Sequence, residues 1–243
     1  MKKIVKKIGY AILILLVTGF VTFFIWAFSG YNADKDVLAA ALKNDKILVE
    51  NVKEYLLITP LNYKGEKGYI FYGGAKVQPE AYISKLSAIA NANNILIIIP
   101  KIFKNLAFFG INKAAEVRKL FPKITHWYIG GHSLGGSMAC LYASKNSNSI
   151  DGILIFGTYS GTDLSKDSIK FVSINGEEDG VFSPQKIKEH KVELPKGAQI
   201  IFIKGMNHSD IGNYGLQPGD NPSKLMNDSA LVQLVKATKS FFN

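Results

Sequence analysis

Gly130-Gly131-His132-Ser133-Leu134-Gly135-Gly136 is the stretch on which the fold of this chain turns. Its centre is a G-x-S-x-G pattern, preceded by the β-prone run His126-Trp127-Tyr128-Ile129 and followed by the Ala- and Met-containing segment Leu134–Ser144. A strand, a sharp turn and a helix in that order would hold the serine in a strained backbone conformation with its Oγ exposed. Glycines two residues to either side leave no Cβ to collide with the neighbouring strand or helix, and Gly130 and Gly136 lengthen the small-residue stretch. The turn also aims a helix N-terminus at Ser133, so backbone N–H groups face any negative charge that develops there. Five matching letters alone also describe a glycine-rich packing turn. The flanking strand and helix are what make the pattern specific.

Working outward, β-rich runs alternate with amphipathic ones. Strands are expected at Glu54–Ile58, Gly68–Tyr72, Ile95–Pro100, His126–Ile129, Gly152–Phe156, Lys170–Ile174 and Gln199–Ile203. Several are near-continuous apolar runs, as in strands covered on both faces. Helices are expected at Pro79–Ala92, Asn112–Leu120, Leu134–Ser144, Pro184–His190 and Leu225–Phe242, with Ser183-Pro184 reading as N-cap and first turn. Such alternation gives an α/β domain with a mostly parallel sheet and helices on both faces.

A serine on that turn needs a base, and an acid that orients the base; in this arrangement they follow in the order serine, carboxylate, histidine. His190 and His208 are the two histidines after Ser133. His190 lies in the charged run Lys186–Lys191, whereas His208 follows the strand Gln199–Ile203 directly, where a loop can reach the elbow. His208 is the preferred base. Asp179, before Gly180 in the loop after Lys170–Ile174, is the preferred acid, with Glu178 and Asp163 as alternatives. Its role would be to fix the tautomer of His208 without accepting its proton. The oxyanion would be met by the Leu134 N–H and by that of Gly74 or Ala75 in Tyr72-Gly73-Gly74-Ala75. His132, its side chain directed away from the serine's, is expected to pack or to line a pocket. His126, at the opposite edge of the sheet, is expected to be structural.

These motifs together resemble the bacterial α/β-hydrolase family with a Gly-Gly-His-Ser-Leu-Gly-Gly elbow, whose members are mostly uncharacterised. Asp179-Gly180, Asn207-His208 and the tail Tyr214-Gly215-Leu216-Gln217-Pro218-Gly219-Asp220 carry the likeness over roughly residues 66–240. The Tyr72-Gly73-Gly74 turn and Pro100-Lys101 with Asn105-Leu106-Ala107 match as well. The resemblance implies an α/β-hydrolase fold and the triad Ser133, Asp179 and His208. The interval from Ile174 to His208 leaves no room for a large cap domain.

The expected chemistry is acyl transfer through an acyl-enzyme, with no metal or organic cofactor. Phe103, Leu106, Phe108 and Phe109 would line an acyl pocket over the elbow, suiting a lipid-like or other apolar ester; a core cluster is the competing reading. An amidase or peptidase would use the same triad, and a tethered non-catalytic binding protein would keep the scaffold without the reaction.

Ile8 to Phe28 contains no charge and is long enough, as a helix, to cross a bilayer. It reads as an uncleaved signal anchor within residues 1–29, followed by a connector with an accessory helix over 30–54 and the catalytic domain over 55–243. A removed signal peptide, and hence a secreted protein, is the other reading. Lys2, Lys3, Lys6 and Lys7 precede the span, which would place the N-terminus in the cytoplasm and the domain outside. Those lysines supply four of the net +10, and the remaining +6 is scattered, with Arg118 the sole arginine, which argues against a nucleic-acid partner. Cys140 is the only cysteine, so no internal disulfide forms. Oligomeric state is not encoded in any of these features.

Overall fold

Leu96-Ile97-Ile98-Ile99-Pro100 form a strand with no exposed face, and the rest of the architecture follows from covering strands of that kind. The computed structural model describes residues 2–242; Met1 and Asn243, the outer ends of the expected anchor and catalytic segments, lie outside the described residues.

The chain divides into two units, residues 1–30 and 31–243. The first holds helix α1 (Lys2–Phe28). Its Lys3–Phe28 portion, 26 residues, is apolar and long enough to cross a membrane, at about 39 Å of helix rise. A signal sequence meets the same criterion.

The second unit begins with α2 (Lys35–Ala41), capped by Asp34, whose side chain accepts from the N–H groups of Asp36 and Val37. Then come β1 (Ile47–Asn51), β2 (Tyr55–Pro60), β3 (Lys67–Tyr72), α3 (Ile83–Asn93), β4 (Leu96–Pro100), α4 (Lys113–Leu120), β5 (His126–His132) and α5 (Leu134–Ser144). β6 (Gly152–Phe156), β7 (Lys170–Gly176), α6 (Pro184–Glu189), β8 (Gln199–Ile203) and α7 (Asn227–Thr238) complete it. The strands form one sheet in the order β1-β2-β4-β3-β5-β6-β7-β8. β1, β2 and β4 pair antiparallel; from β4 through β8 every neighbouring pair is parallel.

The sheet divides the core in two. On one face α3 and α7 cover Tyr69, Phe71, Ile97, Leu154 and Ile174; on the other α4 and α5 cover Ile70, Ile98, Ile129, Ile153 and Ile155. This alternation of successive strand residues between two cores is why the central strands are apolar without interruption.

Two details differ from the sequence expectation. The stretch 30–54 holds, besides its helix, the strand β1, which extends the sheet through antiparallel pairing with β2. β1 is an edge strand with burial on one side, so Ile47-Leu48-Val49-Glu50-Asn51 lacks the continuous apolar run that marks the others. Helix 79–92 is split into a 3-10 turn over Pro79–Tyr82 and α3, since Pro79 sets the first turn. His126 begins β5, between β3 and β6, and so stands at the N-terminal edge of the sheet, opposite the elbow. Between β7 and β8 there is only α6 and a 3-10 turn at His190–Glu193.

Candidate active site

The parallel strands send their C-terminal ends to one edge of the sheet, and the chemistry-bearing loops gather there. β5 continues through Gly130 and Gly131 to His132, three residues beyond the expected end, before the chain reverses at Ser133 into α5. Ser133 has φ 53° and ψ −128°, a left-handed conformation that costs a non-glycine residue on the order of 1–3 kcal/mol. The Ser133 N–H donates to Phe156 O at 3.0 Å and its carbonyl accepts from Ser137 N–H at 3.2 Å, which hold the turn from both sides. A Cβ on Gly131 or on Gly135 would run into the Tyr72 carbonyl, so β3 and α5 approach as closely as bare backbone allows. Ser133 itself is half-buried.

β7 and β8, two and three strands along the sheet from β5, end at the same edge and deliver Asp179 and His208. Asp179 Oδ2 accepts from His208 Nδ1 at 2.8 Å, and both side chains are wholly inaccessible to solvent. Asp179 Oδ1 accepts from the N–H groups of Val181 (2.9 Å) and Phe182 (2.7 Å), so the carboxylate is held by three donors. With Nδ1 donating to a carboxylate, the neutral His208 ring has its acceptor at Nε2, and Nε2 is buried without a hydrogen-bond partner among the described residues. Gly157 forms the floor: a Cβ there would lie 3.0 Å from His208 Nδ1 and 3.4 Å from Asp179 Oδ2. Its φ of 54° also favours glycine.

The other carboxylates and histidines weighed in the sequence lie elsewhere. Glu178 turns outward to Lys224 (2.6 Å), and Asp163 accepts from Ser165 N–H at 2.9 Å on the surface. His190 bonds Glu193 at 2.8 Å and stacks on Tyr159 at 3.8 Å between centroids; His126 pairs with Asp151 at 3.3 Å.

His132 lines no open pocket. It is fully buried beneath the site, its ring centroid 4.5 Å from that of His208, and its Nδ1 lies 3.0 Å from Tyr82 Oη. Tyr82 Oη accepts the Gly74 N–H at 2.8 Å, which leaves its own proton to donate to His132 Nδ1. Burial, and next the adjoining His208 ring, hold His132 well below the usual histidine range, so it is neutral. Burial likewise raises the Tyr82 phenol, keeping its proton in place. This arrangement corrects the oxyanion expectation at one position: the Gly74 amide is committed to Tyr82. The Leu134 and Ala75 amides donate to no acceptor among the described residues.

The expected acyl pocket also changes. Leu106 is fully buried and unavailable to a ligand. Phe103, Phe108 and Phe109 are 55%, 40% and 52% exposed, packing on one another with centroids 5.6 Å and 4.4 Å apart. They form a surface cluster, and Asn105 in the same loop accepts the Lys76 N–H at 3.0 Å, one residue beyond Ala75. Tyr82, Gly157 and Asp220 were not singled out from the sequence as site residues. An acidic residue closing a Gly-x-Gln-x-Gly tail was the visible signal for the last of them.

Residues 68–231 match the model of a family described as the alpha/beta hydrolase family. No curated protein matches the chain. Solved structures with the same fold include Est1E from Butyrivibrio proteoclasticus with ferulic acid bound (15% identity, 82% of this chain and 96% of that one, TM-score 0.58). An esterase from Pyrobaculum calidifontis is similar at 13% identity over 84% of this chain and 89% of that one, with a TM-score of 0.59. An alpha-beta serine hydrolase homologue from Coxiella burnetii is similar at 8% identity, 82% and 98% coverage and a TM-score of 0.58.

Proposed function

Because the chain belongs to the alpha/beta hydrolase family, we propose that it is a serine esterase that works through an acyl-enzyme on Ser133. The observation that carries this reading is the solvent-free Asp179–His208 pair, 2.8 Å apart, at the same edge of the sheet as the Ser133 turn. Asp179 fixes the Nδ1–H tautomer of His208, which leaves Nε2 to take the Ser133 proton. Oγ then attacks the ester carbonyl, and the Leu134 and Ala75 N–H groups receive the charge that forms on its oxygen. His208 returns the proton to the leaving alcohol; a water activated by the same nitrogen releases the acid.

The substrate in this reading is an apolar, lipid-like ester. The exposed Phe103–Phe109 cluster supports it, since that loop is bonded to the oxyanion turn at Lys76. α1 acts as an uncleaved signal anchor, with Lys3, Lys6 and Lys7 on the cytoplasmic side and residues 31–243 outside the cell.

The test is hydrolysis of p-nitrophenyl esters of increasing chain length by the full chain in detergent micelles. A stoichiometric burst of p-nitrophenol, absent from Ser133→Ala, is the expected result. Equal turnover by wild type and Ser133→Ala would reject the acyl-enzyme.

A further inference from the structure

The tail Tyr214-Gly215-Leu216-Gln217-Pro218-Gly219-Asp220 resembles a family motif, yet nothing in the mechanism above uses it. Resting on the triad reading, we propose that Asp220 is a positioning residue: its carboxylate clamps the acid turn and the base loop to each other and so sets the Asp179–His208 geometry.

The geometry is specific. Asp220 Oδ1 accepts from the N–H of Gly180 at 3.1 Å, of His208 at 3.2 Å and of Asn221 at 2.9 Å. Oδ2 accepts from Ser209 N–H at 2.8 Å and from Ser209 Oγ at 2.7 Å. The Asn221 contact is local; the other four reach 40, 12 and 11 residues back along the chain. Asp179 and His208 arrive from different strands, β7 and β8, and Asp220 bonds the backbone of His208 itself and of Gly180, the residue after Asp179. A backbone bond from Glu178 N–H to Met206 O (2.9 Å) already joins the two loops further back. What Asp220 adds is a tie at the residues that bear the reacting pair.

The surrounding chain is shaped for this. Gly215 and Gly219 have φ of 83° and 87°, conformations that glycine adopts without steric cost. A Cβ on Gly180 would lie 2.7 Å from Gly219 O and 2.8 Å from Asn221 N, so the tail presses directly on the acid turn. Gln217 N–H donates to Ser209 Oγ (3.0 Å), Asn221 Nδ2 to Glu178 O (3.0 Å) and Asn207 Nδ2 to Asn221 O (2.7 Å). Every group aimed at the Asp220 carboxylate is a donor. A carboxylate offers acceptors on both oxygens and no donor, whereas an asparagine would turn its NH₂ toward one set of donors.

The loops stay bonded further back without the clamp, so its loss displaces the ring and does not unfold the domain. A displacement on the order of 1 Å at a catalytic group costs about 100-fold in rate. Asp220→Asn is therefore expected to lose about 100-fold in the rate of Ser133 labelling by a fluorophosphonate, with KM for a p-nitrophenyl ester little changed. The downfield proton signal of His208 Nδ1–H, which reports its bond to Asp179, is expected to shift or vanish in the same variant. Asp220→Glu, which keeps the charge, should recover part of both. A folded Asp220→Asn that labels at the wild-type rate and keeps the downfield signal overturns the clamp. Should that variant not fold, Ser209→Ala removes one arm, and an unchanged signal and labelling rate there overturn it equally. Wild type that neither labels nor shows the signal overturns the triad reading beneath the proposal, a result distinct from the other two.

Discussion

The loops after β7 and β8 leave the same edge of the sheet as the loop after β4, yet the two regions are built in opposite ways. At 176–182 and 207–221 Asp179 and His208 are buried and the described bonds close on one another: Asp179 has three donors and Asp220 five. At 102–110 the backbone is tied down, but three phenylalanines stand in solvent. The difference follows from what each must do. A general base works only at one distance and in one tautomer, so burial and a full set of hydrogen bonds must define it. Apolar contact needs area and no particular angle, and exposed rings supply that.

That contrast sets a scale of effects. The largest belongs to Asp179. Asp179→Asn is expected to lower kcat about 10⁴-fold through loss of the tautomer that His208 needs, while Glu178→Gln and Asp163→Asn stay near wild type in ester hydrolysis. A comparable loss in either of the latter would move the acid and break the distinction between buried and exposed carboxylates.

Next is Tyr82. Tyr82→Phe deprives both the Gly74 N–H and His132 Nδ1 of a buried partner, and urea unfolding should show a loss of about 1–3 kcal/mol. An unchanged midpoint would mean that water replaces the hydroxyl and that the floor of the site is open.

His132 gives the pH dependence of the same floor. Its folded-state affinity for protons lies well below the usual value near 6.5. At lower pH the unfolded chain therefore takes up a proton that the folded chain does not. The contribution is complete above about pH 6.5 and is lost as pH falls below it, at up to about 1.4 kcal/mol per pH unit. Urea titrations at pH 7.5 and 5.5 should show the steeper fall in wild type and a shallower one in His132→Gln, whose amide oxygen can still accept from Tyr82.

The smallest effect is expected in the exposed loop. Phe103→Ser, Phe108→Ser and Phe109→Ser should each change unfolding free energy by no more than about 0.5 kcal/mol. Their combination should raise KM for long-chain p-nitrophenyl esters and leave the acetate unaffected. Equal loss on both substrates would show that the rings support the fold and not the acyl chain.

The same contrast explains what could be read from the sequence. The central strands and the elbow were legible because burial on both faces writes an unbroken apolar run, and because close backbone approach at Gly131 and Gly135 admits only glycine. β1 was not, since an edge strand buried on one side looks like connector. Near the site, Asp179 and His208 stood out through their place after strands. Tyr82 did not, because a tyrosine in a helical turn announces nothing until folding brings Gly74 and His132 beside it; the tail ending in Asp220 was visible as a motif, but its partners Gly180 and Ser209 were not. Leu106 and its neighbouring phenylalanines were equally apolar in sequence; only the turns around Lys104 and Asn105, both at φ 53°, decide which side chain goes inward.

The central claim, an activated serine at position 133, is tested most directly by treating the full chain in micelles with a fluorophosphonate and locating the adduct by peptide mass. The account predicts one adduct, on Ser133, which His208→Ala abolishes although Ser133 remains. Folded protein that takes up no label, or that carries it on another residue, would contradict the account.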